Sequence, residues 1–254
     1  MSKTSQIGKY SLLEILKNVI PKDRSHRREF YHIFLQQVYF TFVQALPLLG
    51  ILGITIGLGV AFQAKAGLSL LGKNDKIGQF LVIVLFREVA PLVSTMVLIA
   101  RSVTAVTSEI ATMKVQQEIQ ALHILGINII EYIFAPRILS GMISLFCMAT
   151  AFCSFALLGS WLGVNLDGHM SVGQLFDSIS LIIRPADLIF FLTKSSVIGF
   201  MVLYIGCKKG LALKKAAFEV PIVTNLATVR ALFVALTMQA VISGMFYLIY
   251  GIEL

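Results

Sequence analysis

Residues 87–137 read REVAPLVSTMVLIARSVTAVTSEIATMKVQQEIQALHILGINIIEYIFAPR. The stretch opens on adjacent opposite charges, Arg87 and Glu88, inside an apolar segment that runs from Phe80 to Ala100. It crosses a polar section with helical patterning, Ser108 to Ile124, and ends at Pro136 and Arg137, where another long apolar segment begins. A charge pair within a span, a short amphipathic helix and a second span in one run suggest a transporter subunit. The helix between the spans is the part that a soluble partner can touch.

The surrounding composition fits that reading. Hydrophobic residues make up 57% of the chain and charged residues 13%, with a mean hydropathy of +0.86; a soluble domain carries about a quarter charged residues. The apolar residues fall in blocks long enough to cross a bilayer, which takes roughly 20 helical residues. The expected fold is an all-α integral membrane protein with five transmembrane helices. A net charge of +8 comes from cations that flank the apolar blocks, as orientation signals do. No basic stripe interleaved with aromatics is present, so nucleic acid is not an expected partner. Cys147 and Cys153 share no helix face, Cys207 stands alone, and the four histidines match no zinc spacing, so no metal site is expected. The amino terminus shows no cleavable signal peptide.

Residues 1–45 are expected not to span. Ser11 and Glu14 have capping-box spacing ahead of an apolar face (Leu12, Ile15, Leu16, Val19, Ile20) that stops at Pro21. A basic cluster of Lys22, Arg24, Arg27 and Arg28 precedes Tyr31, Phe34, Leu35, Val38 and Phe42, which repeat at helical intervals. An aromatic amphipathic helix behind a basic cluster is expected to lie in the interface of an anionic leaflet. A core helix is the alternative.

Residues 46–254 carry the spans, expected at about 46–70, 78–103, 134–164, 188–207 and 231–252. In the first, Gly53 and Gly57 permit close helix contact. Near its end, Gly67, Gly72, Lys73 and Asn74 imitate a P-loop, but Asn74 replaces the magnesium-binding hydroxyl residue and no buried strand precedes. In the second, Pro91 cannot donate to the carbonyl of Arg87, so the helix is weakened beside the charges. Neighbours on a helix point about 100° apart, so Arg87 and Glu88 need not pair with each other. They should face a cavity or charged partners; an ion pair with another helix is the structural alternative. The section from Ser108 to Ile124 reads as one helix capped by Thr107 or Ser108, with a stripe of Ala111, Val115, Ile119 and Leu122 and a stop at Gly126. Residues 167–187, including Asp187, read as a polar loop, and Lys194 lies part-way into the fourth span.

With the amino terminus inside, 15 of the 21 cations fall on the cytoplasmic side. The positive-inside rule therefore selects a cytoplasmic amino terminus, five spans and a carboxyl terminus outside.

Arg87, Glu88 and Pro91, then Ala100 and Arg101, Glu109, Met113 and Val115, Ala121 and Leu122, Gly126, and Pro136 with Arg137 together resemble the MlaE permeases, membrane subunits of ABC-type phospholipid transporters. Lys194 and Ser195, Gly206, Cys207 and Gly210, Ala217, and Ala227 with Thr228 extend the resemblance, which covers residues 30 to 250. Ala90 and Ala100 stand where the family usually has Gly, and Gln117-Glu118 where it usually has Glu-Gln. The resemblance implies a homodimeric permease in the bacterial inner membrane, maintaining outer-membrane lipid asymmetry. It implies a cytoplasmic ABC ATPase (MlaF-like) that carries the ATP and magnesium, a periplasmic MCE-domain protein (MlaD-like), and leaves room for a STAS-domain regulator (MlaB-like). The amphipathic helix before the first span becomes an elbow helix, and Ser108–Ile124 the cytoplasmic coupling helix, with Glu109, Met113, Lys114, Gln117 and Glu118 at the ATPase. Phospholipid would occupy a cavity lined by Arg87, Glu88, Pro91 and Lys194. This chain would hold no catalytic residue and no cofactor.

Cations suit a lipid phosphate in a partly dry site, and Arg offers it a fork of donors. A stand-alone secondary transporter or channel, with Arg87, Glu88 and Lys194 as an ion or substrate path, is the rival reading. Five spans without internal duplication count against it. A lipid-modifying enzyme lacks the clustered acids, bases and nucleophile it needs.

Overall fold

The computed structural model describes residues 24–70, 77–127, 129–165, 185–213 and 217–250. Every regular element among them is helical. Among the described residues, five helices are long and apolar enough to cross a membrane: Phe30–Leu68, Phe80–Val115, Tyr132–Asn165, Pro185–Leu211 and Ala217–Ile249. The chain is a multi-pass membrane protein.

Helix α1, Arg24–Phe42, passes through a 3-10 turn, Val43–Ala45, into α2, Leu46–Leu70. Tyr31, Leu35, Tyr39 and Phe40 of α1 are exposed. The amphipathic pattern expected at residues 11–20 lies outside the described residues. Next in order come α3 (Ile77–Ile83), a π-helical turn (Val84–Val89), α4 (Ala90–Leu98), a second π turn (Ile99–Val103) and α5 (Thr104–Val115). The apolar part of this stretch, Phe80–Val115, has 36 residues, well above the roughly 20 that one crossing takes. After a turn comes α6, Glu118–Ile124; a third π turn, Ile130–Phe134, leads into α7, Ala135–Asn165. Helices α8 (Pro185–Leu211) and α9 (Val220–Tyr250) complete the order.

Each described proline stands at the first or second position of a helical segment: Pro47, Pro91, Pro136, Pro185 and Pro221. A first-turn N–H has no intrahelical acceptor, so proline removes nothing there. Helix also precedes Pro47, Pro91 and Pro136, and the last two are set apart by the kind of turn that leads into them. In both cases a π turn comes first, and the backbone N–H of Ala90 and of Ala135 reaches back to the carbonyls of Leu85 and Ile130. The wider turn gives the ring room and leaves a carbonyl in need of another donor.

The chain divides into two compact units. One comprises residues 44–97, 145–196 and 239–254 and is called here the Lys194 unit. In it α2 packs against α7 through small residues. A Cβ on Gly53 would stand 2.7 Å from Cβ of Phe155, one on Gly57 would strike the backbone of Ala156, and one on Gly159 the backbone of Ile54. Backbones this close gain van der Waals contact that larger residues would forbid. Ala61, Ala64, Leu81 and Val164 form a buried cluster beside them.

The other unit, residues 1–43, 98–144 and 197–238, is the Arg137 unit. Here α5 meets the end of α8, where Cβ atoms on Gly206 and Gly210 would crowd Thr107, Val103 and Ile110. Thr107 donates to the carbonyl of Gly206 at 3.2 Å. Ile110, Ala111, Ile138, Val202, Leu203 and Cys207 are buried in the same unit.

The helix expected at residues 108–124 is two helices. No cap forms at Thr107 or Ser108, because α5 continues the second span without a break. The chain turns at Gln116 and Gln117, the latter in the left-handed region at φ 64°. The carbonyl of Gln117 then accepts from the N–H groups of Gln120 and Ala121, starting α6. Gly126, at φ +77°, ends α6: its N–H reaches His123 at 3.2 Å, and that of Ile127 reaches Leu122 at 3.0 Å. This is the double bond pattern of a Schellman cap, which glycine adopts without Cβ strain. The fourth span also starts earlier than expected. Pro185 opens α8, so Asp187 belongs to its first turn instead of a loop.

Candidate functional site

The π turn before Pro91 presents Arg87 and Glu88 in succession. Pro91 offers no N–H to the carbonyl of Arg87, and Lys194 of α8 supplies the replacement, its Nζ donating to that oxygen at 2.9 Å. The same ammonium donates to Oε2 of Glu88 at 3.1 Å and to Oγ of Ser243 on α9 at 2.7 Å. Three donors meet three acceptors, and Lys194 is fully buried. Its Nζ also lies 5.3 Å from the centre of the Phe190 ring. A buried ammonium is tolerable only when paired and hydrogen-bonded, and both conditions are met.

Glu88 is held from α9 as well. Ser243 donates to its Oε2 at 3.0 Å, Tyr247 to its Oε1 at 3.3 Å, and the Gln239 amide to its backbone carbonyl at 3.5 Å. Residues 239, 243 and 247 are four apart, so they share one face of a helix. Arg87 points to different partners. Its guanidinium pairs with Asp187 at 2.9 Å and lies 5.5 Å from the centre of the Phe246 ring. Phe246 stacks on Phe190 at 4.1 Å, and Phe191 on Phe86 at 4.4 Å. The two pairs are unequal in exposure. The side chain of Glu88 is 36% accessible and that of Arg87 14%, against 0% for Lys194 and 3% for Asp187. One cation and one carboxylate remain within reach, each backed by a buried opposite charge.

Arg87, Glu88, Pro91 and Lys194 are thus brought together, but Lys194 stands behind Glu88 and not on the accessible surface. Asp187, Gln239, Ser243 and Tyr247 were not among the sequence candidates. The last three stand out as a polar stripe at four-residue spacing in an apolar span. Asp187 carries the first-turn acid and Pro185 the opening proline of a helix start.

In the Arg137 unit, Glu109 pairs with the buried Arg137 at 2.5 Å. Lys114 donates to the carbonyl of Leu211 at the end of α8, where a cation suits the helix dipole. Met113 is half-buried, and Gln117 and Glu118 are exposed. Ile124 and Leu125 are 87% and 73% exposed, although they lie outside every candidate span. Among the described residues, no group of three or more His, Cys, Asp or Glu is placed to hold a metal ion.

The family model described as Permease MlaE matches residues 34–245. This chain belongs to the MlaE permease family. It is 26% identical over 216 residues to a probable ABC transporter permease protein of Rickettsia prowazekii, covering 85% of this chain and 83% of that one. It is 27% identical over 218 residues to the chloroplastic protein TRIGALACTOSYLDIACYLGLYCEROL 1 of Arabidopsis thaliana, covering 84% of this chain and 61% of the plant protein. The intermembrane phospholipid transport system permease protein MlaE of Haemophilus influenzae is 26% identical over 153 residues, covering 58% and 59% of the two chains. The matched segment contains both charge pairs, all of α5 and α6, and most of α9.

Proposed function

We propose that this chain is the permease subunit of an ATP-driven phospholipid transporter, moving lipid between the inner membrane and the periplasmic and outer-membrane side and so maintaining outer-membrane lipid asymmetry. The observation that carries the reading is the site at Pro91. An accessible arginine and carboxylate stand over a buried counter-charged pair, in helices that are long and apolar enough to cross a membrane. A headgroup needs such polar contacts and the acyl chains need the apolar walls around them. Arg87, Glu88 and Pro91 face the lipid, and Lys194 fixes Glu88 in place. The names of the Rickettsia and Haemophilus relatives support the same reading.

The working unit is a homodimer with its amino terminus in the cytoplasm and its carboxyl terminus in the periplasm. Helix α1 lies along the membrane surface as an elbow, which its exposed aromatics suit. A cytoplasmic MlaF-like ATPase docks on α6 and the end of α5, at Glu109, Met113, Lys114, Gln117 and Glu118. The exposed Ile124 and Leu125 support a protein contact there, since large apolar side chains bared outside the spans call for a cover. An MlaD-like MCE protein receives or supplies lipid on the periplasmic side, and an MlaB-like STAS protein regulates the ATPase. ATP and magnesium bind the ATPase, not this chain.

A gentle pull-down of the tagged chain from its native membranes, followed by mass spectrometry, tests the assembly. An ABC ATPase and an MCE-domain protein are expected in the eluate. Recovery of the chain alone from mild detergent overturns the reading and returns Arg87, Glu88 and Lys194 to the stand-alone transporter.

A further inference from the structure

We propose that Asp187 is a specificity-determining residue: by neutralising Arg87 from behind, it balances the four described charges of the site and selects a zwitterionic phospholipid with a primary amine over anionic phospholipids. The inference rests on the lipid-permease reading above and names its substrate class.

Five formally charged side chains are described in the Lys194 unit: Lys65, Arg87, Glu88, Asp187 and Lys194. Four of them meet at the Pro91 break, two of each sign, joined as Arg87 with Asp187 and Glu88 with Lys194. If the site served anionic headgroups, the natural arrangement would leave a surplus of positive charge. Instead each accessible group is matched. Lys194 has no donor to spare, since the carbonyl of Arg87, Glu88 and Ser243 take all three protons. Among the described residues, a phosphate therefore meets the guanidinium of Arg87, whose five donors exceed what one carboxylate can use. Beside it stands the carboxylate of Glu88, the more open of the two. An anionic headgroup leaves that carboxylate facing like charge, whereas an ammonium group answers it. A primary amine donates N–H bonds to Glu88; a quaternary amine has none to give.

The test uses the full-length chain, purified with its native assembly into nanodiscs of equimolar phosphatidylethanolamine and phosphatidylglycerol. Tightly held lipid is counted by headgroup with native mass spectrometry. The wild type should hold phosphatidylethanolamine in excess. Asp187→Asn should shift the ratio toward phosphatidylglycerol by about tenfold, the order expected when one unit charge acts over about 10 Å at an effective dielectric of about 20. Asp187→Glu should restore the wild-type ratio, which a merely structural role would not require. Glu88→Gln raises the site charge by one from the accessible side and should shift the ratio the same way, so the test stands even if Asp187→Asn does not assemble. Unchanged ratios in the assembled charge-neutralising variants, or equal headgroups in the wild type, overturn the proposal while leaving the lipid reading intact. A wild type that holds no lipid beyond the annulus overturns the lipid reading, and this proposal with it.

Discussion

Replacing Lys194 by Met removes a buried ammonium at nearly constant length. Three hydrogen bonds go with it, one to a carboxylate and two to neutral oxygens. The carbonyl of Arg87, already deprived of a helical donor by Pro91, is left unsatisfied, which costs about 1–3 kcal/mol. Loss of one member of a buried ion pair costs about 3–5 kcal/mol, but Glu88 is partly accessible and water will compensate some of its charge. The expected destabilisation is about 3 kcal/mol, toward the low end of that range. Glu88→Gln leaves Lys194 buried without its counter-charge and should cost about as much. The double variant should lose about 4 kcal/mol rather than about 6, a coupling of about 2 kcal/mol within the span seen for contacting residues. Reversible unfolding in sodium dodecyl sulfate, followed by circular dichroism and near-ultraviolet fluorescence, gives the four free energies of the cycle. Additivity within about 0.5 kcal/mol would refute the reasoning. Lys194 would then be free to act elsewhere, and the accessible carboxylate would have no fixed support.

Three further outcomes follow from the packing. Gly57→Ala drives a methyl group into the backbone of Ala156 and should destabilise by about 1–3 kcal/mol, whereas Gly59→Ala, with open space around it, should be neutral or stabilise by up to about 1 kcal/mol; equal effects in the same unfolding assay would contradict the close α2–α7 approach. Gln117→Gly relieves a left-handed conformation worth about 1–2 kcal/mol in a residue with a Cβ, so amide exchange across α6 should slow, and faster exchange would count against the turn. Glu118→Lys changes only an exposed side chain, so in the purified assembly ATP hydrolysis should continue while lipid transfer falls severalfold; undiminished transfer per ATP would remove α6 from the coupling contact.

Much of this architecture is legible in the sequence because bilayer thickness imposes its own length on an apolar run. The five spans and the all-helical fold follow from those runs, whereas the meeting of Lys194 with Arg87 and Glu88 is implied only by the family resemblance. Asp187 was hidden because the apolar run of span four begins one residue later, at Leu188, and hydropathy places a charged residue at that edge in a loop. Its helix is announced by Pro185 instead, a backbone signal that hydropathy does not read. The stripe of Gln239, Ser243 and Tyr247 was visible as spacing, yet its target lies 151 or more residues away in sequence. The break at Gln117 leaves no mark at all, since the left-handed position is filled by glutamine. Gly126, nine residues on, announces the corresponding position through its residue type.

The pairing of Arg87 with Asp187 and Glu88 with Lys194 also bears on how the chain is made. Until the second and fourth spans meet, each carries charge in an apolar span without its partner, at about 2.5–3.5 kcal/mol per residue at a helix centre and less toward its ends, where Asp187 lies. Neither span can discharge that burden alone. On α8 the acid and the base are seven residues apart, two turns along the same face, while on the π turn their partners are adjacent and opposite in order. Sliding α8 by two turns would set like charge against like. The cluster therefore acts as a lock during membrane assembly: it penalises orphaned spans and misregistered ones, and it releases that penalty only when the helices that build the site have found one another in the right alignment.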